Sequence, residues 1–153
     1  MKRLMLSKTR LSNAMREILD VEFTVEEVFC AAKNLKPHSA PGPDAMPAFF
    51  FQQIWSIVGK DVTTFVLGVL NKGVSPGIMN QTHICLIPKI MKPRKACDFQ
   101  PISLSNVVYK MISKTIANRL KIILPDIIEK YQSAFVHGRL ITDNGLLAFE
   151  SFH

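Results

Sequence analysis

Between His83 and Pro125 the sequence carries Lys89, Lys92, Arg94, Lys95, Lys110, Lys114, Arg119 and Lys121, against a single acid, Asp98. A field of one sign over so short a stretch suits phosphate oxyanions. Binding of that kind releases counterions and weakens steeply with salt. Farther along, Gly138 frees the backbone and Arg139 offers a bidentate donor for phosphate. A lysine-rich face also fits a merely solvated surface, so the charge pattern names a class of partner and not an activity.

Other chemistries lack their residues. Two-metal phosphoryl transfer needs carboxylates that converge on a pair of ions, and none of the 12 acids forms a DxD or DD pair. Cys30, Cys85 and Cys97 have no CxxC spacing, and His38, His83, His137 and His153 form no HxxxH, so no zinc site is expected. The three cysteines read as free buried thiols of a reducing, intracellular compartment, nuclear or cytoplasmic. The turn Ser39-Ala40-Pro41-Gly42-Pro43-Asp44 is no phosphate cradle, because its prolines remove the N–H groups a cradle needs. It is expected to be a rigid, exposed linker.

Composition sets the frame. The 153 residues, 48% hydrophobic and 20% charged, describe a globular chain, and its net charge of +7 favours an anionic partner. The most apolar stretch, residues 48–70, is interrupted by Gln52-Gln53 and Lys60-Asp61, short of the ~18 uncharged residues a membrane span requires. No membrane partner is expected. Residues 1–20 have the basic composition of a transit peptide but read as an amphipathic helix, with Leu4, Leu11, Met15, Ile18 and Leu19 on one side.

The elements that must position the cations follow in order. Thr24 and Glu27 have the spacing of a capping box, and open a helix with Val25, Val28, Phe29, Ala32 and Leu35 as its buried stripe. Pro37 prevents its continuation. Pro47 opens a helix with Phe50, Phe51, Ile54, Trp55 and Val58 on an apolar face. Asp61 is expected to cap a third helix, which stops at Gly73. THICLIPK, residues 82–89, reads as a strand that pairs with the segment around Ile102 and Leu104, giving a hairpin with a cationic tip. The helix that follows places Lys110, Lys114 and Lys121 in one narrow sector at ~100° per residue. Val108, Ile112, Ile116, Leu120 and Ile123 lie opposite. Arg119 falls among these apolar residues, either snorkelling or paired inside.

Five segments together are similar to the front part of the reverse transcriptase of LINE-type (non-LTR) retrotransposons, of the kind abundant in plant genomes. They are APGPD (40–44), PAFFFQQIW (47–55), LIPK (86–89), DFQPISLSNVVYKMISKTIANRLK (98–121) and QSAFVHGRLITDN (132–144), in family order. The resemblance implies an α-dominated α+β fold, part of a right-hand polymerase. Residues 1–81 would form an N-terminal helical extension. Residues 82–153 would form part of the fingers, including the hairpin.

The resemblance also implies roles. Lys89 matches the lysine of the family's IPK motif, and Lys92 lies in the same basic loop, which meets the incoming nucleotide or template. Gln100 stands where the family has an arginine, and Arg139 matches an arginine along the template path. Arg94, Lys95, Lys110, Lys114 and Lys121 would extend the nucleic-acid-binding face. The implied partners are an RNA template and a DNA primer, with Mg2+ as the family's cofactor but no metal ligand in this chain. Palm, thumb and the metal aspartates are expected outside these residues, so the chain alone should not polymerise. Ala45 replaces the last glycine of the family's PGPDG turn, and His137 stands where a proline is common. Two other readings stay open: a non-catalytic basic nucleic-acid-binding module, and a transposon remnant without a function.

Overall fold

The computed structural model describes residues 11–128, as helices with one two-stranded sheet. In order these are α1 (Asn13–Asp20), α2 (Val25–Lys33), α3 (Ala48–Gln53), α4 (Trp55–Lys72), β1 (Thr82–Pro88), β2 (Phe99–Ser105) and α5 (Val107–Ile127). The chain divides into two compact units. Described residues 22–116 form one, and residues 11–21 with 117–128 belong to the other. The expected features at Leu4, His137, Arg139 and residues 132–144 lie outside the described residues.

Helix α2 begins where its capping chemistry dictates. The Thr24 hydroxyl accepts from the Glu27 N–H at 3.3 Å, while the Glu27 carboxylate accepts from the Thr24 N–H at 2.9 Å. Its far end is closed by a distant side chain. The Gln52 amide donates to the carbonyls of Ala32, Lys33 and Leu35 at 3.0–3.2 Å, so α3 caps α2. The face α2 buries is narrower than its apolar residues suggest. Val28, Ala31 and Ala32 are buried, whereas Val25 and Phe29 are exposed. The Phe29 ring instead lies 5.6 Å from the Trp55 ring at the surface.

Helices α3 and α4 correct a boundary. The break falls at Ile54, whose φ of −103° and ψ of 22° leave helical geometry for one residue. From there α4 runs unbroken through Gly59, Lys60 and Asp61. Asp61 therefore caps nothing, because the N–H groups a cap would satisfy are already inside a helix. Gly59 is needed there. A Cβ on it would stand 2.7–2.9 Å from the Trp55 indole, which covers the helix one turn on. At its end, Gly73 adopts φ 65° and carries the chain out of α4 in left-handed geometry. The Asn71 amide then clasps the Phe23 main chain from both sides, with two bonds of 2.9 Å.

The core of residues 22–116 collects Val28 and Ala32 of α2, Ala48 and Phe51 of α3, Val62 and Val66 of α4, and Val107, Val108, Met111 and Ile112 of α5. The buried ridge of α5 thus continues through Met111 to Thr115, while Ile116 and Leu120 are partly exposed. Thr115 satisfies its hydroxyl within the helix, on the Met111 carbonyl at 2.8 Å. Arg119 is buried and paired, with its guanidinium donating to the Val21 carbonyl. Pro125 does not end the helix, which continues to Ile127.

The segment at residues 39–44 is not an exposed linker. Gly42 is buried, and a Cβ there would meet the Asn106 main-chain nitrogen and side-chain oxygen at 2.4 Å. Only glycine lets the backbones approach so closely. Asn106 then accepts the Asp44 N–H at 3.2 Å, and the Lys110 ammonium donates to the Ala40 carbonyl at 2.7 Å. The turn is docked on the junction between β2 and α5. The cysteines are corrected likewise: Cys30, Cys85 and Cys97 are all exposed, on an outer helix face, the hairpin and its loop.

Candidate nucleic-acid interface

β1 and β2 pair antiparallel with Thr82 opposite Ser105 and Pro88 opposite Phe99. Beyond the last of these pairs the Lys89 N–H donates to the Asp98 carbonyl at 2.7 Å. Antiparallel bonding alternates. The bonded pairs are therefore Ile87–Gln100, Cys85–Ile102 and His83–Leu104, and the intervening residues turn their main-chain groups outward. Pro88 and Pro101 both occupy outward positions, where a missing N–H removes no ladder bond. This alternation is why a hairpin with a proline in each strand can pair along its whole length.

The connection between the strands is tightly organised. The Asp98 Oδ2 accepts from the N–H groups of Arg94 and Lys95, each at 2.8 Å. The Asp98 N–H donates to the Lys95 carbonyl at 2.9 Å, closing a short 3-10 turn at Ala96–Asp98. Lys89 sends its ammonium back to the Cys97 carbonyl at 3.3 Å. The two N–H groups, Arg94 first and then Lys95, hold the Asp98 carboxyl below its ordinary range, with a smaller contribution from the Cys97 thiol. Asp98 thus directs its charge to the main chain and not to the neighbouring cationic side chains. Lys92, Arg94 and Lys95 stand exposed around it.

The remaining cations separate into groups. Lys89, Lys92, Arg94 and Lys95 come together on the hairpin loop, and Gln100 lies exposed on β2 opposite Ile87. Lys110 is half-buried and tied to Ala40, so it is part of the scaffold as much as of the surface. Lys114 is half-buried and Lys121 exposed, on α5. Arg139 lies outside the described residues.

Two residues that organise this region carry little signal in the sequence. Asp98 stands out only as the lone acid of a cationic stretch. The Asn106 side chain has its partner, the Asp44 N–H, 62 residues away, beyond any local pattern. Among the described residues no group of three or more His, Cys, Asp or Glu is placed to hold a metal ion. None of their helices is long and apolar enough to cross a membrane.

No family model matches the sequence. The chain is similar to the uncharacterized 149 kDa protein of transposon TX1 from Xenopus laevis, at 31% identity over 143 residues. The alignment takes in 94% of this chain but 11% of that protein, so the chain spans about a tenth of the length of the relative it matches. The chain therefore resembles one segment of a transposon-encoded protein.

Proposed function

We propose that this chain is the template- and nucleotide-facing fingers segment of a LINE-type retrotransposon reverse transcriptase. Its contribution is to bind the phosphate groups of an RNA template, a DNA primer or an incoming nucleotide. The observation that carries this reading is the cationic loop itself: a backbone fixed by Asp98 from which Lys92, Arg94 and Lys95 project into solvent. The similarity to a transposon-encoded protein across nearly the whole chain supports the same context.

The division of labour follows from the residues. Lys89 bridges back across the loop and stiffens it, while Lys92, Arg94 and Lys95 supply charge to phosphate oxygens. Gln100, where the family has an arginine, offers a neutral amide instead, which forms a weaker contact with phosphate than a guanidinium does. The loop offers Mg2+ a single carboxylate, that of Asp98. Its Oδ2 accepts two main-chain N–H groups, so no step is assigned to a metal in the loop. Nucleotide incorporation by the purified chain on a primed RNA template would refute the expectation that it is inactive alone.

The binding test is direct. Anisotropy of a labelled RNA–DNA hybrid, titrated at several salt concentrations, gives the slope of log K against log salt. Each lost phosphate contact reduces that slope by about one. Neutralising Lys92, Arg94 and Lys95 together should therefore flatten it by about two to three. Neutralising Lys110 should change it less and lower stability instead, because its ammonium holds Ala40. A slope indifferent to the loop variants would remove the loop from the interface.

A further inference from the structure

Asp98 poses a physical question that its neighbours sharpen. An acid beside four cations weakens the field that draws phosphate, so on charge alone its loss should tighten binding. The geometry points to the opposite role: Asp98 is the positioning residue of the cationic loop, and holds it in the shape from which Lys92, Arg94 and Lys95 reach phosphate oxyanions together. This inference rests on the phosphate-binding reading above and adds a residue that never touches the ligand.

The bonds carry the argument. One carboxylate oxygen gathers two successive N–H groups, those of Arg94 and Lys95, each at 2.8 Å. The Asp98 main chain adds two more ties, to Lys89 at 2.7 Å and to Lys95 at 2.9 Å. Three of the loop's four cationic residues, Lys89, Arg94 and Lys95, therefore have their backbones fixed to Asp98. The side-chain ties hold the far side of the loop, which the ladder of β1 and β2 does not reach. Without them Arg94 and Lys95 lose the anchor that sets the direction of their side chains. A loop that holds its binding shape only a tenth of the time binds about tenfold more weakly.

The two N–H groups converge on a single oxygen, and this makes the idea separable from electrostatics. Asp98→Asn and Asp98→Ala remove the same charge, but only asparagine keeps an oxygen able to accept both N–H groups. The full chain and both variants would be titrated with a labelled RNA oligonucleotide and, separately, with a fluorescent nucleoside triphosphate. The two arms show whether polynucleotide or free nucleotide supplies the phosphate. Asp98→Asn is expected to bind as tightly as wild type or more so, and Asp98→Ala about tenfold more weakly than Asp98→Asn. Amide hydrogen exchange at Arg94 and Lys95 should stay protected with asparagine and become fast with alanine, which keeps the test valid even if one variant is poorly stable. Equal affinity of the two variants, or equal protection, overturns the positioning role while leaving phosphate binding intact. Absence of salt-sensitive binding by the wild-type chain in both arms overturns the phosphate-binding reading, and this one with it.

Discussion

Ala45 should be a better glycine. It has φ 55°, the only left-handed backbone among the described non-glycine residues. Its surroundings give it no freedom to relax. The Ala45 N–H bonds the Gly42 carbonyl at 3.0 Å, and the Asp44 and Met46 N–H groups on either side are held by the side chains of Asn106 and Asp44. Left-handed geometry costs an L-residue roughly 1–2 kcal/mol. Glycine at an equivalent site gives back about 0.4–1 kcal/mol through the freedom of its unfolded chain. The difference favours Ala45→Gly, with a central value of about 0.8 kcal/mol. With a urea m-value of about 2 kcal/mol/M, the unfolding midpoint should rise by about 0.3–0.5 M at constant m. Ala45→Val should move it the other way, since a β-branched residue tolerates this region worst. Equilibrium urea unfolding, followed by far-UV circular dichroism, measures all three proteins. A lower midpoint for Ala45→Gly at unchanged m would refute the backbone assignment and the docking of the turn that enforces it.

The other expectations concern α4 and the loop. Gly59→Ala and Gly68→Ala place the same methyl group in the same helix with opposite results. At Gly59 the methyl collides with the Trp55 indole and should destabilise by about 1–3 kcal/mol with a change in Trp55 fluorescence. At Gly68 its nearest neighbour is the Val74 side chain at 3.8 Å, and alanine should stabilise by about 0.5–1 kcal/mol. Equal signs in urea melts would contradict the Trp55 placement. The lowered pKa of Asp98 predicts that ordering of the loop is fully present above the ordinary value of 3.8 and is lost as pH falls through the lower folded value. Amide exchange at Arg94 and Lys95, corrected for intrinsic rates, should lose protection on that acid side only. Protection that persists through the titration would mean the carboxylate is not the acceptor.

What the sequence made legible was local. Thr24 and Glu27 lie three residues apart, so their reciprocal bonds could be read directly. The hairpin was legible for the same reason, with short uncharged strands and a polar connection. The α3–α4 boundary was not, because Gly59-Lys60-Asp61 looks like a break and cap unless the indole of Trp55 is known to cover Gly59. The buried face of α2 is narrower than its apolar pattern because Phe29 keeps an exposed ring beside the half-buried Trp55. The docked turn was out of reach entirely. Its bonds join Ala40 to Lys110 and Asp44 to Asn106, separations of 70 and 62 residues that no periodicity encodes. Arg119 was legible as a choice between two environments, and its bond to Val21 selects the buried one. For the candidate interface, the sequence located the cations of the loop but hid the residue that arranges them.

The alternation that tolerates Pro88 and Pro101 also makes the two margins of the hairpin unequal. On β2 the outward row of donors is interrupted in mid-strand at Pro101, while on β1 it is interrupted only at the last residue, Pro88, and exposed Ile84 and Leu86 keep their outward N–H and C=O groups. β1 contains no Asp, Glu, Lys or Arg to repel an incoming strand. Growth of the sheet therefore has a direction. The β1 margin is the better template for a third strand, because its proline stands at the end of the strand whereas that of β2 stands in the middle.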